Sequence, residues 1–166
     1  MTPQTRAAVI SRLASETVLE DDEGRLHDFD DIAMESLAGR TMLAAFRVHD
    51  ALVMIDATGA VVRLVHHQSC CESVVLEDIN GDLADLVDTP LLVSEERVQK
   101  AADPDEDESA TWSFYTLRTI KGSVDLRWHG TSNGYYSETV DVEILHPDHP
   151  LSAHQRRALC RILQAP

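Results

Sequence analysis

Polar and apolar positions divide the chain into stretches of different period. Residues 41–48, 51–55 and 60–66 are apolar-rich runs separated only by His49-Asp50 and Ala57-Thr58-Gly59, which predicts an antiparallel meander. Further on, Trp112 and Phe114, then Val124, Leu126 and Trp128, then Val140, Val142 and Ile144 alternate with polar neighbours. A period of two turns one side of a strand to a core and the other to water. Lys121-Gly122 and Ser132-Asn133-Gly134 are turn signals at the right spacing, so three antiparallel strands on one shared sheet are expected from 111 to 145. Leu91, Leu92 and Val93, opened by Pro90, read as a further buried strand. The stretch 73–88 is broken at Asn80-Gly81, with a short helix expected over 82–87.

Helical signals sit at the ends. Thr2 can cap a helix over 2–14, with Pro3 at its first position and Val9, Ile10 and Leu13 as its apolar stripe. An acidic turn at 20–24 suggests a small hairpin, and 29–37 is ambiguous, with Gly39 as a helix stop. Ser152 caps a last helix with Leu159, Ile162 and Leu163 on one face. The expected fold is a single α+β domain spanning 1–166: an N-terminal extension with a helix (1–36), a β-rich core (37–145) of five to seven strands in a mostly antiparallel sheet, and a C-terminal helix (151–164).

A length of 166 residues fits one domain. Twenty-nine acids against fourteen bases give a net charge of −15. That charge argues against direct nucleic-acid binding, which draws its affinity from Lys and Arg on phosphates, and against anionic membranes. No apolar run approaches the ~20 residues of a membrane span, and a signal peptide is not evident, so a cytoplasmic protein is expected. Five acids fall within Asp103–Glu108, which reads as a solvated loop or, less simply, as a docking site for a basic partner. Three cysteines, Cys70, Cys71 and Cys160, are too few for a secreted disulfide scaffold.

The densest chemistry is His66-His67-Gln68-Ser69-Cys70-Cys71-Glu72, directly after a predicted strand. Imidazole and thiolate are the usual zinc ligands, which makes His66, His67, Cys70 and Cys71 candidate metal ligands and zinc the cofactor to consider. No second ligand pair accompanies them, and His129, His146 and His149 are distant in sequence. Thiol catalysis is a second reading: Cys70 as nucleophile, His66 or His67 as base, Glu72 or Asp78 as orienting acid, and the amides of 68–71 as oxyanion donors. The simplest reading is structural, with a cysteine as a small core residue and a hydrogen-bonded histidine beside it. Glu72, Glu77, Asp78 and Asp82 form an acidic group able to bind Mg²⁺ or Ca²⁺, without a calcium-loop motif. Asn133, Tyr135 and Tyr136 are candidate binding residues, since the tyrosines can stack on a ligand ring; cross-strand packing is the alternative.

The blocks His66-x-Gln68-x-Cys70-Cys71-Glu72-Ser73-Val74, Glu77-Asp78-Ile79-x-Gly81-Asp82-Leu83, Thr111-Trp112-x-Phe114-Tyr115 and Ser132-Asn133-Gly134-Tyr135-Tyr136-Ser137-Glu138 resemble an uncharacterised domain-of-unknown-function family found in bacteriophages, prophages and bacteria. The resemblance spans roughly residues 37–145. The family usually reads H-D-Q-D-C-C-E, and here His67 and Ser69 stand in place of the two aspartates. The resemblance implies that the His-Cys knot matters, and it transfers no activity.

The leading functional expectation is a non-enzymatic acidic accessory protein of phage or prophage type that binds a protein partner, with basic partners favoured by charge; an inhibitor or nucleic-acid mimic is one version. The alternative is a metal-binding or thiol-dependent enzyme centred on His66, Cys70, Cys71 and Glu72. A third is a homo-oligomer paired through an open sheet edge.

Overall fold

The computed structural model describes residues 29–101 and 109–146. The chain forms nine strands: β1 (Asp30–Asp31), β2 (Met42–Val48), β3 (Ala51–Asp56), β4 (Val61–Val65), β5 (Glu72–Asn80), β6 (Val93–Lys100), β7 (Ser109–Arg118), β8 (Ser123–Ser132) and β9 (Asp141–Leu145). They make two antiparallel sheets, one of five strands in the order β1-β9-β4-β3-β2 and one of four in the order β5-β8-β7-β6.

The described residues are therefore all-β in two sheets, which corrects the expectation of an α+β domain built on one sheet of five to seven strands. The expected helices over 2–14 and 151–164, the hairpin near 20–24 and most of the 101–110 loop lie outside the described residues. Inside them, the helix expected over 82–87 is a single 3₁₀ turn, Leu83–Leu86, whose N-cap Asp82 accepts a hydrogen bond from Ala84 N at 2.9 Å. A second 3₁₀ turn, Met34–Leu37, stands where 29–37 is ambiguous, and Gly39 follows it at φ 85°.

The β2–β3–β4 meander forms as expected, with one register shift between Met42 and Ala44. Its runs are apolar rather than alternating because this sheet is buried on both faces. Leu52, Met54, Val62 and Leu64 enter the main core, while Val53, Ile55 and Val61 join Leu145 in a smaller cluster with Phe29, Phe46 and Val48.

The main core is shared by both sheets. Leu76, Tyr115, Leu117, Leu126 and Trp128 of the four-stranded sheet meet Met42, Leu52, Met54, Leu64 and Ile144 of the five-stranded one. The β2–β3 turn ties the sheets together: Trp128 Nε1 donates to the Asp50 carbonyl (3.1 Å), Leu76 N donates to Asp50 Oδ1 (3.2 Å) and Arg47 Nη2 donates to the Leu76 carbonyl.

Two expectations about 111–145 change. First, β9 pairs with β4 and β1, not with β8, so the chain crosses to the other sheet after Ser132. Second, the phase of β7 is opposite to the one its aromatics suggest. Thr111, Ser113, Tyr115 and Leu117 face the core, and Trp112 and Phe114 lie half-buried on the outer face. The cause is volume: Ser113 is the register partner of Trp128, and Thr111 of Gly130, so small inward residues leave space for the Trp128 ring. Gly130 itself has no space for a side chain, since a Cβ would lie 2.8 Å from Glu138 Cβ.

The strand expected at Leu91–Val93 begins only at Val93 and runs to Lys100. Leu91 is buried but Leu92 is exposed. Most of β6 is polar because it is an edge strand with Ser94 as its buried residue.

Candidate functional site

The His-Cys knot divides into two places. Residues after β4 turn sharply before β5, and Glu72 organises the turn. Its carboxylate accepts hydrogen bonds from the amides of Ser69, Cys70 and Cys71. These bonds, that of Ser69 foremost, hold the Glu72 carboxyl below its ordinary pKa. His66 closes the same turn: Nδ1 lies 2.6 Å from the Thr139 carbonyl, and Nε2 lies 3.6 Å from Glu72 Oε1 with both side chains nearly inaccessible. Gln68 Nε2 donates to the Val74 carbonyl at 3.2 Å.

Cys70 and Cys71 are exposed free thiols. The hydrogen bond with Cys70 comes first among the causes that push the Cys71 thiol up, and the nearby Glu72 charge acts in the same direction. Tyr136 reaches the same pair, and its hydroxyl is pushed up, first by its hydrogen bond to Cys70. The sequence treated Tyr136 as a separate candidate; the turn 133–136 brings it to the cysteines. Asn133 Oδ1 accepts from Tyr135 N at 3.1 Å, and the Tyr135 ring stands in solvent, edge-on to Tyr136 at 5.3 Å.

The amides of Ser69, Cys70 and Cys71, among those expected as oxyanion donors, give their hydrogen bonds to the Glu72 carboxylate. The four expected metal ligands are not gathered at one point. His66 turns to Glu72 and Thr139, while His67 turns away to Glu143 (2.6 Å) on β9. His67, Asp141 and Glu143 form one group of donor atoms, all within 4.8 Å of one another. The signal for it was Asp141-Val142-Glu143, whose alternation puts both acids on one face of a strand.

The remaining candidates are dispersed. Asp82 caps its 3₁₀ turn, Glu77 lies 3.6 Å from Arg127, and His146 lies 4.0 Å from Asp30. His149 and Cys160 lie outside the described residues. His129 is on the outer face of the four-stranded sheet, its ring centroid 4.2 Å from that of Trp112.

That outer face is the feature that sequence reasoning missed. The register places Arg97, Phe114 and Arg127 in one row across β6, β7 and β8, with Gln99, Trp112, His129 and Val75 in the next. The Arg97 guanidinium lies 4.7 Å over the Phe114 ring, and that of Arg127 lies 5.2 Å over Trp112. Beside this platform is a groove of ≈ 400 Å³ with the acids Asp78, Glu95 and Asp125 from three strands; Glu96 also borders it, but its carboxylate accepts a hydrogen bond from the Tyr115 hydroxyl at 2.8 Å.

The profile of a domain of unknown function, DUF7448, matches residues 35–142, well over half the chain. The chain belongs to the DUF7448 family. No curated protein and no solved structure matches it. The DUF7448 match runs from the Met34–Leu37 turn to the start of β9, so it includes β2 to β8, the Glu72 turn and the outer aromatic platform, and leaves out β1 and Glu143. Among the described residues of this DUF7448 domain, no helix is long and apolar enough to cross a membrane.

Proposed function

We propose that this chain is a non-enzymatic acidic interaction module that binds a basic segment of a protein partner on the outer face of its four-stranded sheet. The observation that carries this reading is the groove at Phe114. Asp78, Glu95 and Asp125 lie around the Phe114 ring, and the two guanidiniums there, Arg97 and Arg127, lie over Phe114 and Trp112. An incoming lysine or arginine sets its cation among the carboxylates and its aliphatic stem on the rings. Aromatic residues left half-open on a sheet face are the type that anchors protein interfaces. The net charge of −15 steers cationic partners toward the molecule. Cytoplasmic residence and a phage or prophage accessory role belong to the same reading and rest on the sequence alone.

The test is fluorescence anisotropy with labelled oligoarginine and oligoglutamate peptides, at low and moderate salt. Oligoarginine binds, binding weakens with salt, and the pairs W112A/F114A and E95Q/D125N each weaken it about tenfold while circular dichroism is unchanged. Equal binding of both peptides, or oligoarginine binding indifferent to both pairs, overturns the proposal.

A further inference from the structure

A second polar cluster lies on the other sheet. Arg63 is the register partner of Glu143, and Val65 of Asp141, so the two acids project from one side of β9. His67, just past the end of β4, brings its ring to the same place. Its Nε2 lies 2.6 Å from Glu143 Oε1, while Arg63 Nε donates to the other carboxylate oxygen, Oε2. Arg63 also stacks on Phe29, with its guanidinium carbon 3.7 Å from the ring centroid. Glu143 is thus held in one orientation with Oε1 turned toward His67 and Asp141, as an outer partner fixes a metal-binding carboxylate.

The third member is held differently. Among the described residues no hydrogen bond reaches the Asp141 carboxylate, which is half-buried beside His67, Glu143 and Asp31. A carboxylate partly withdrawn from water and without a donor has lone pairs free for a cation.

We propose that His67, Asp141 and Glu143 form a binding site for a borderline first-row divalent cation, with zinc as the test ion. An imidazole nitrogen with two carboxylates selects such ions over Mg²⁺ and Ca²⁺, which take oxygen ligands. Three protein donors leave a coordination position for water, as in open rather than purely structural zinc sites. The ion has access, because the His67 side chain is 38% exposed. Cys70 and Cys71 take no part in this site. The inference is independent of the peptide-binding face.

Isothermal titration of the full, untagged chain with zinc chloride tests it, in phosphate-free buffer with a non-thiol reductant. One ion binds per chain, Mg²⁺ does not compete, and H67Q and D141N each weaken zinc at least about tenfold without changing circular dichroism. C70S/C71S leaves the affinity in place, and the cobalt-substituted protein has no thiolate-to-metal charge-transfer band. No stoichiometric zinc binding, binding indifferent to H67Q, or binding lost in C70S/C71S overturns the site.

Discussion

Two tryptophans on adjacent strands of one sheet face opposite ways, and exchanging each for phenylalanine separates core from surface. Trp128 is fully buried, meets Tyr115 edge-on at 5.2 Å, and donates its indole N–H to the Asp50 carbonyl in the turn that joins the sheets. W128F removes that bond and strands the carbonyl, which costs about 1 kcal/mol. The ring atoms lost from a packed site cost roughly another 1 kcal/mol through lost burial and residual cavity. The sum, about 2 kcal/mol, lowers the melting temperature of a chain this size by roughly 4–8 °C. W112F acts on a half-exposed ring stacked on His129 and Arg127, and its effect stays within about 0.5 kcal/mol. The chain holds two tryptophans, so each variant keeps one as its own fluorescent reporter. Guanidinium unfolding by fluorescence gives both free energies, and iodide quenching gives the exposure. W112F leaves a shielded emitter, and W128F an accessible one. Equal destabilisation by the two substitutions, or a larger loss from W112F, would refute the inward and outward assignment of β7 and β8.

Other outcomes follow from single sites. Because Glu72 has a lowered pKa in the folded chain, its stabilisation is complete above the ordinary carboxylate range and fades as pH falls through the lowered folded value; E72Q removes that increment, so melting curves of the two proteins converge toward acid pH. Arg63 and Glu143 are a buried pair, and R63M takes one of two partners from the Glu143 carboxylate and leaves it to His67 alone, costing roughly 1.5–3 kcal/mol by chemical denaturation, whereas R63M/E143L recovers part of it. Cys71 is exposed yet its thiol is pushed up, so its reaction with a disulfide reagent is slow at neutral pH and accelerates only on the alkaline side; rapid labelling of Cys71 at neutral pH contradicts its hydrogen bond with Cys70.

The parts of this fold that could be read from sequence are those where one physical signal dominates. The β2–β4 meander shows as consecutive apolar runs because both faces of its sheet are covered, and the break at Asn80-Gly81 ends β5 where Gly81 adopts φ 113°. The outward turn of Trp112 was hidden, since hydrophobicity favours the aromatic and only the volume of Trp128 opposite Ser113 decides the phase. β6 was hidden for the reverse reason: an edge strand buries so little that Ser-Glu-Glu-Arg carries no apolar period. The departure of β9 to the other sheet is a non-local pairing with β4, which no local pattern records. In the His-Cys knot the residues were legible and their partners were not. His66 and His67 are neighbours in sequence but point to Thr139 and Glu143, more than seventy residues away.

The binding face is tested most directly by amide chemical-shift mapping of isotope-labelled protein titrated with the oligoarginine peptide. Shifts concentrated at Glu95, Arg97, Phe114, Asp125 and Arg127, with the Trp112 indole moving and β2–β4 silent, are the predicted result. Shifts spread evenly over the acidic surface, or centred on the five-stranded sheet, would contradict a site on the outer face of the four-stranded one.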